Sequence, residues 1–322
     1  MMRMYGRLLL ILLLMEITIN GCIEYGTENS PDFSDMESWA YQLQNADPIN
    51  ISRSNFDLVV IDYSRDGSDE GRYSPDEIKQ IKSSGIIPIA YISIGEAEDY
   101  RFYWKGEWIY APSDWLGREN PEWKGNYAVK YWDEEWKNII YSYLDKIIEQ
   151  QFLGVYLDRV DEFEYWSDPE NNENVSFPER YTAEMMIEFI LDIAEYCRDK
   201  YDGTFYVIPQ NGERLLEFDN GSLLDAISGW AVEDLFYDGI ALIPANDTYE
   251  RTYYLDKIVS IGKPVLCVDY IDTGTGYHGA NKERINDYMK RALTKGYIPY
   301  AARADRDLDE LNIIDGIQPP VG

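Results

Sequence analysis

The chain has 322 residues, 45% apolar and 15% aromatic, with 29 Lys plus Arg against 59 Asp plus Glu and a formal net charge of −30. A field this negative repels nucleic acid and anionic membranes and attracts cations, and no basic stripe is present to neutralise phosphates. It also suits a salt-adapted surface, and a chain of this length forms a large core without disulfide or metal staples.

In chain order, Arg3 and Arg7 precede the apolar run Leu8 to Met15, which is too short to cross a bilayer. Ile19-Asn-Gly-Cys22 then resembles a lipoprotein signal box. Residues 1–22 are expected to be a lipoprotein-type signal peptide ending at a lipidated Cys22, and 23–37 a polar tether. The expected location is extracellular, secreted or anchored to the outer face of the cell membrane. A lipid on Cys22 would be the only membrane contact, and a monomer is expected.

Eight short apolar runs follow, at residues 39–45, 56–62, 86–93, 154–158, 205–211, 227–233, 264–270 and 297–302. Near-continuous apolar runs suit parallel strands buried on both faces. Helical patterns alternate with them, at 134–150, 249–261 and 282–295 among others. Ser74-Pro-Asp-Glu77 and Ser176-Phe-Pro-Glu179 read as capping boxes that open two more. The fold class is therefore α/β, a single (β/α)8 TIM barrel over residues 38–310, with 311–322 as a C-terminal tail.

A loop after the third strand holds Tyr100, Trp104, Trp108, Trp115, Trp123, Tyr131 and Trp132. A long loop in a compact domain is usually functional. Its rings suit stacking on sugar C–H faces, and equally suit a small aromatic core of the loop's own.

Residue usage narrows the chemistry. His278 is the only histidine, which excludes HExxH zinc sites, and it reads as a loop residue. No GxSxG elbow supplies a catalytic serine, and no P-loop or Rossmann glycine pattern is present, so no cofactor or metal is expected. Cys197 and Cys267 fall in apolar elements and read as small buried hydrophobes. Carboxylates remain. In a (β/α)8 barrel the strand C-termini share one face, so Asp158 and Glu233, each ending a strand, converge there. Two such carboxylates are what glycosidic cleavage needs. Asp62 and Glu96 also end strands, and Asp269 and Tyr270 end the seventh. Asp161 rivals Asp158, whereas Asp234 points away from Glu233 by the strand alternation.

Taken together, Trp39-Ala-Tyr-Gln-Leu-Gln44, Val60-Ile-Asp-Tyr63, Ala90-Tyr-Ile-Ser-Ile-Gly-Glu96, the Trp115/Trp123/Trp132 loop, Gly154-Val-Tyr-Leu-Asp158, Gln210-Asn211 and Glu233-Asp-Leu-Phe236 resemble glycoside hydrolase family 114. The resemblance spans residues 38–305. It implies a (β/α)8 barrel with endo-α-1,4-polygalactosaminidase-like activity, Asp158 and Glu233 as its catalytic pair, and Asp62, Tyr63, Glu96 and Asn211 along the sugar site. Trp132, Asp269 and Tyr270 are further candidate substrate contacts. The expected function is hydrolysis of a cationic amino-sugar polysaccharide by a two-carboxylate mechanism. Retention is favoured, with Asp158 as nucleophile and Glu233 as acid/base. Two alternatives stay open. One is a non-catalytic polysaccharide-binding lipoprotein. The other is a metal-dependent barrel hydrolase using Asp158, Asp161 and Asp269.

Overall fold

The computed structural model describes residues 33–171, 173 and 175–320. The expected signal segment, Cys22 and the part of the expected tether before residue 33 lie outside the described residues. Eight barrel strands follow one another: β1 (Trp39–Gln42), β2 (Leu58–Asp62), β3 (Ile87–Ser93), β4 (Gly154–Asp158), β5 (Tyr206–Pro209), β6 (Trp230–Glu233), β7 (Val265–Asp272) and β8 (Ile298–Arg303). The connecting helices are α1 (Pro48–Ile51), α2 (Pro75–Ser83), α3 (Glu134–Glu149), α4 (Glu162–Ser167), α5 (Glu179–Lys200), α6 (Ser222–Ala226), α7 (Ala245–Ser260) and α8 (Gly279–Thr294).

All barrel ladders are parallel, in two arcs, β1-β2-β3-β4-β5 and β6-β7-β8. At one seam Gln210 bridges Ala231, and Ser228 N–H donates to the Val207 carbonyl at 2.8 Å. At the other, the Trp39 indole donates to the Ile298 carbonyl at 2.9 Å, and Leu43 N–H reaches the Leu308 carbonyl at 2.8 Å. The register matters for chemistry: Asp62 lies level with Tyr91, Ser93 with Asp158, and Val268 with Glu233.

Alternation along the strands fills the barrel interior with rings. Trp39 and Tyr41 of β1, Tyr156 of β4 and Tyr300 of β8 meet there, with centroids 5.2 to 6.2 Å apart. Residues of the other parity face the helices. Cys197 and Cys267 are free and buried, one in α5 and one in β7.

Local signals act unevenly. Ser74 and Glu77 form the full capping box of α2, with Pro75 at its first turn. Ser176 does not cap α5, which starts at Glu179 with Pro178 at its N-cap position and no side-chain cap. The expected second capping box is therefore absent: Pro178 already fixes a helix-entry φ, and Thr182 Oγ1 takes the Phe163 and Glu179 carbonyls.

The stretches read as tether and tail are partly built into the barrel. Phe33 stacks on Tyr206 at 4.6 Å, and Asp57 accepts the backbone N–H groups of Glu37 and Ser38. Asn312 donates to Asp272 and to the Ala301 carbonyl. Gln318 bonds both the N–H and the carbonyl of Ala301.

The aromatic insertion is ordered. Glu96–Glu98, Leu116–Glu119 and Asn126–Val129 form a three-stranded antiparallel sheet that continues directly from β3. Trp104, Trp108, Trp115 and Trp136 pack edge-on or tilted at 5.0 to 5.3 Å, so most of the rings form the insertion's own core.

Candidate active site

A cleft of about 520 Å³ opens at the C-terminal ends of the strands. Asp158, Glu233, Asp62, Glu96, Asn211 and Tyr270 all line it. Asp158 and Glu233 are only partly shielded, since the cleft admits water above them while protein surrounds them on the other sides.

Asp158 accepts two hydrogen bonds, from the Tyr91 hydroxyl at 2.7 Å and from the Arg159 backbone N–H at 2.7 Å. Arg159 holds a left-handed φ of 62°, which turns that N–H back toward the carboxylate. Burial raises the Asp158 pKa to about 6, against the Tyr91 hydrogen bond and the Arg159 charge, which both lower it. Glu233 accepts from the Tyr270 hydroxyl at 2.5 Å. Burial, and then the nearby Asp158 charge, raise its pKa to about 8, against the Tyr270 bond. At neutral pH one carboxylate is ionised and held by donors, and the other carries a proton. Such a split is what an acid working opposite a base or nucleophile requires.

Tyr41, nearly buried in the cleft floor, has its hydroxyl pKa raised by burial and then by Glu233. The Tyr156 hydroxyl lies in the same field, fully buried and without a hydrogen-bond partner among the described residues. On the β2–β3 side, Arg101 is 3% exposed and grips Asp62 with one nitrogen to both oxygens, at 2.9 and 2.7 Å, while its Nε takes Glu98 at 2.6 Å. Glu96 accepts from Asn120 and Asn126 and lies 3.1 Å from Arg159, which also holds the buried Glu162 at 2.6 Å. Burial lifts Glu162 to about 8, against the pull of Arg159. Carboxylates outnumber basic groups along the cleft, although Arg101 and Arg159 neutralise several of them. Tyr100 and Trp123, 50% and 56% exposed, stand at its mouth.

The structure places three expected contacts elsewhere. Asp269 is fully buried and accepts the backbone N–H groups of Leu235, Phe236 and Tyr237 at 2.8 to 2.9 Å, so it shapes the loop after β6 instead of meeting substrate. Both its oxygens are taken, so it does not join Asp158 and Asp161 around a metal. Adjacent strand residues face opposite sides, and Tyr270 holds the inward position. Tyr63 is likewise outward: it donates to the Gly67 carbonyl and packs on Tyr143 at 4.6 Å, while Asp62 faces in. Trp132 packs against Tyr131, Trp166, Phe177 and Tyr181 away from the cleft.

Asp234 pairs with Arg306 at 2.8 and 2.9 Å, clear of Glu233's role. His278 sits at the N-cap position of α8. Sequence reasoning missed Tyr91, Tyr41, Arg101, Arg251 and Arg306. Only Tyr91 and Tyr41 carried a signal, a hydroxyl-bearing ring inside a fully buried strand. A second cavity, of about 440 Å³, shares Asn211 and Glu233 with the cleft and extends toward α7. A third, of about 520 Å³, lies against Phe33, Phe205 and Pro264 and contains none of the strand-end carboxylates.

A parallel eight-stranded barrel with two carboxylates at its strand C-termini, in an open, tyrosine-walled cleft, is an architecture that suits a glycoside hydrolase. The chain belongs to glycoside hydrolase family GH114, whose family model matches residues 25–318. An uncharacterized protein of Methanocaldococcus jannaschii is 59% identical over 275 residues, 85% of this chain and 78% of that one. An uncharacterized protein of Thermotoga maritima is 52% identical, over 89% and 87% of the two chains. Among solved structures, the glycoside hydrolase domain of PelA from Pseudomonas aeruginosa superposes with a TM-score of 0.64 at 18% identity, covering 86% of this chain and 98% of that one. Ega3 of Aspergillus fumigatus, solved in complex with galactosamine, gives 0.62 at 15% identity, over 86% and 95%. At these identities the two structures speak to the fold.

Proposed function

We propose that this glycoside hydrolase cleaves a cationic amino-sugar polysaccharide internally, as an endo-α-1,4-polygalactosaminidase, using Asp158 as nucleophile and Glu233 as acid/base in a retaining reaction. The observation that carries the reading is the placement of two strand-end carboxylates in one cleft, each held by a tyrosine hydroxyl, with burial raising Asp158 to about 6 and Glu233 to about 8. Asp158 attacks the anomeric carbon as Glu233 protonates the departing glycosidic oxygen. Glu233, now ionised, then takes a proton from the water that releases the glycosyl–Asp158 ester. Tyr91 and Tyr270 hold the two carboxylates in place. Asp62, Glu96 and Asn211 contact the sugar, and Tyr100 and Trp123 stack on it at the mouth.

The amino-sugar assignment is supported by the excess of cleft carboxylates and by the galactosamine complex of Ega3. The protein acts outside the cell, as a monomer that is secreted or held by a lipid on Cys22 once the residues before that cysteine are removed, with the polar residues that follow it as the tether. Purified protein is to be tested on partly deacetylated galactosaminoglycan, chitosan and polygalacturonate, with proton NMR following the first anomer released. Hydrolysis of the galactosaminoglycan with retained configuration is expected. An inverted first product would overturn the nucleophile assignment, and cleavage of polygalacturonate alone would overturn the substrate class.

A further inference from the structure

Arg251 reaches from α7 to the end of β6 and turns its guanidinium inward. Nη1 donates to the Glu233 carbonyl at 3.0 Å and Nη2 to Asn211 Oδ1 at 3.0 Å. Nε donates to Glu213 at 2.5 Å, whose carboxylate is buried. The remaining N–H groups make longer contacts to the Asp234 carbonyl and to Glu213, so this arginine keeps no donor for a ligand.

The same Asn211 oxygen accepts the Glu233 backbone N–H at 3.1 Å. Both of its partners are obligate donors, so the amide has one orientation open to it: oxygen toward Arg251 and the Glu233 N–H, nitrogen away. The backbone is pinned as well. Asn211 N–H donates to the Ala231 carbonyl, the Trp230 indole takes the Asn211 carbonyl at 2.9 Å, and φ is 58°. Asn211 lines the cleft beside Glu233, and its Nδ2 has no hydrogen-bond partner among the described residues.

We propose that Arg251 is a positioning residue which, by holding Asn211 Oδ1, presents an N–H donor to the sugar next to Glu233, so that this point of the site takes a hydroxyl or acetamido oxygen and excludes the ammonium group. The inference deepens the glycosidase reading and rests on it. An ammonium has three donors and no acceptor, and two donors face to face in a partly dry cleft leave both unpaired. The cation of an amino sugar is therefore bound at carboxylates elsewhere in the cleft. Residue 211 reads the ring's oxygen substituents.

The test has two arms. Arg251→Met is made together with Glu213→Gln, so that no buried carboxylate is left unpaired, and kcat and KM are measured on the polymer that the unaltered enzyme cleaves. The pair is expected to lower kcat/KM about tenfold in the Asn211 enzyme and less than twofold in the Asn211→Ala background, since the effect runs through that amide. Equal losses in both backgrounds would mean a merely structural arginine and overturn the proposal. Should the paired variant not fold, Arg251→Lys, which keeps the charge without the planar fork, is read by the same comparison.

In the second arm, Asn211→Asp puts an acceptor where the donor stood. Calorimetry with galactosamine and N-acetylgalactosamine is expected to show N-acetylgalactosamine bound several-fold more weakly and galactosamine little changed. Tenfold tighter galactosamine would place the ammonium at residue 211 and overturn the donor assignment. Failure of the two-carboxylate reading shows up separately, as turnover surviving Asp158→Asn and Glu233→Gln.

Discussion

Tyr91 and Tyr270 each donate one hydrogen bond to one of the two proposed catalytic carboxylates, at 2.7 and 2.5 Å, and removing either hydroxyl makes a signed prediction about pH. In the unaltered enzyme kcat/KM should rise as Asp158 ionises near pH 6 and fall as Glu233 loses its proton near pH 8. Both hydroxyls stabilise the ionised form of their carboxylate, so both losses raise a pKa. A hydrogen bond to a charged acceptor is worth about 1.5–3 kcal/mol, and one pKa unit is about 1.4 kcal/mol. The full effect is thus about 1–2 units, and about 1 unit is expected in a cleft that water reaches. Tyr91→Phe should move the acid limb from near 6 toward about 7 and narrow the window. Tyr270→Phe should move the alkaline limb from near 8 toward about 9 and widen it. The assay is reducing-end release from the polymer between pH 4 and pH 10, in buffers of constant ionic strength. If Tyr91→Phe shifts the alkaline limb, or Tyr270→Phe the acid one, the role assignment is reversed. If neither limb moves, these carboxylates do not govern the profile.

Asp158→Asn and Glu233→Gln should each lower kcat by about 10³ or more with the circular dichroism of the fold unchanged. Glu233 has a folded pKa above its unfolded value, so its stabilising contribution is complete below about pH 4.5 and lost as pH rises through about 8. Glu233→Gln should therefore be more stable than the parent at pH 9, by about 2 kcal/mol once water in the cleft is allowed for, as read by urea titration at pH 6 and pH 9. Trp123→Ala should raise KM about tenfold and change kcat less than twofold, because the ring stands at the mouth and not at the reacting carbon. Asp269→Ala strands three backbone N–H groups and should cost about 3 kcal/mol in denaturant unfolding, with KM unchanged in the folded fraction. Apparent affinity for polymer should rise with deacetylation and weaken as salt is added, measured by equilibrium binding; indifference to both would remove the charge argument.

Much of the fold was legible because each barrel strand is apolar on both faces, a pattern that few other elements share. The placement of Asp158 and Glu233 was legible because a carboxylate closing such a run has few places to go except the barrel mouth. What misled was parity. The two-residue period that sends Asp234 away from Glu233 equally separates Asp62 from Tyr63 and Asp269 from Tyr270. Within each pair only one side chain faces the cleft, and a sequence does not say which until one strand's register against its neighbours is known. Arg101 and Arg251 were illegible for another reason. Each comes from a loop or helix outside the strands, and nothing local distinguishes an arginine folded inward onto carboxylates from one in solvent. The aromatic insertion was ambiguous in composition and proved divided in fact, with Trp108 and Trp115 buried and Tyr100 and Trp123 facing the cleft.

The contacts of Asn312 and Gln318 with Ala301 bear on how the barrel is completed. Paired on one side with β7, the β8 strand meets β1 through only a few bonds, and the Gln318 side chain supplies the donor and acceptor that a neighbouring strand would give Ala301. A glutamine thus serves as a one-residue surrogate strand, carried by a segment made after every helix and strand of the barrel. While the nascent chain emerges, that edge stays bare and open to pairing with another chain. The Gln318 segment is then a latch on that edge, and its removal or displacement is expected to expose β8.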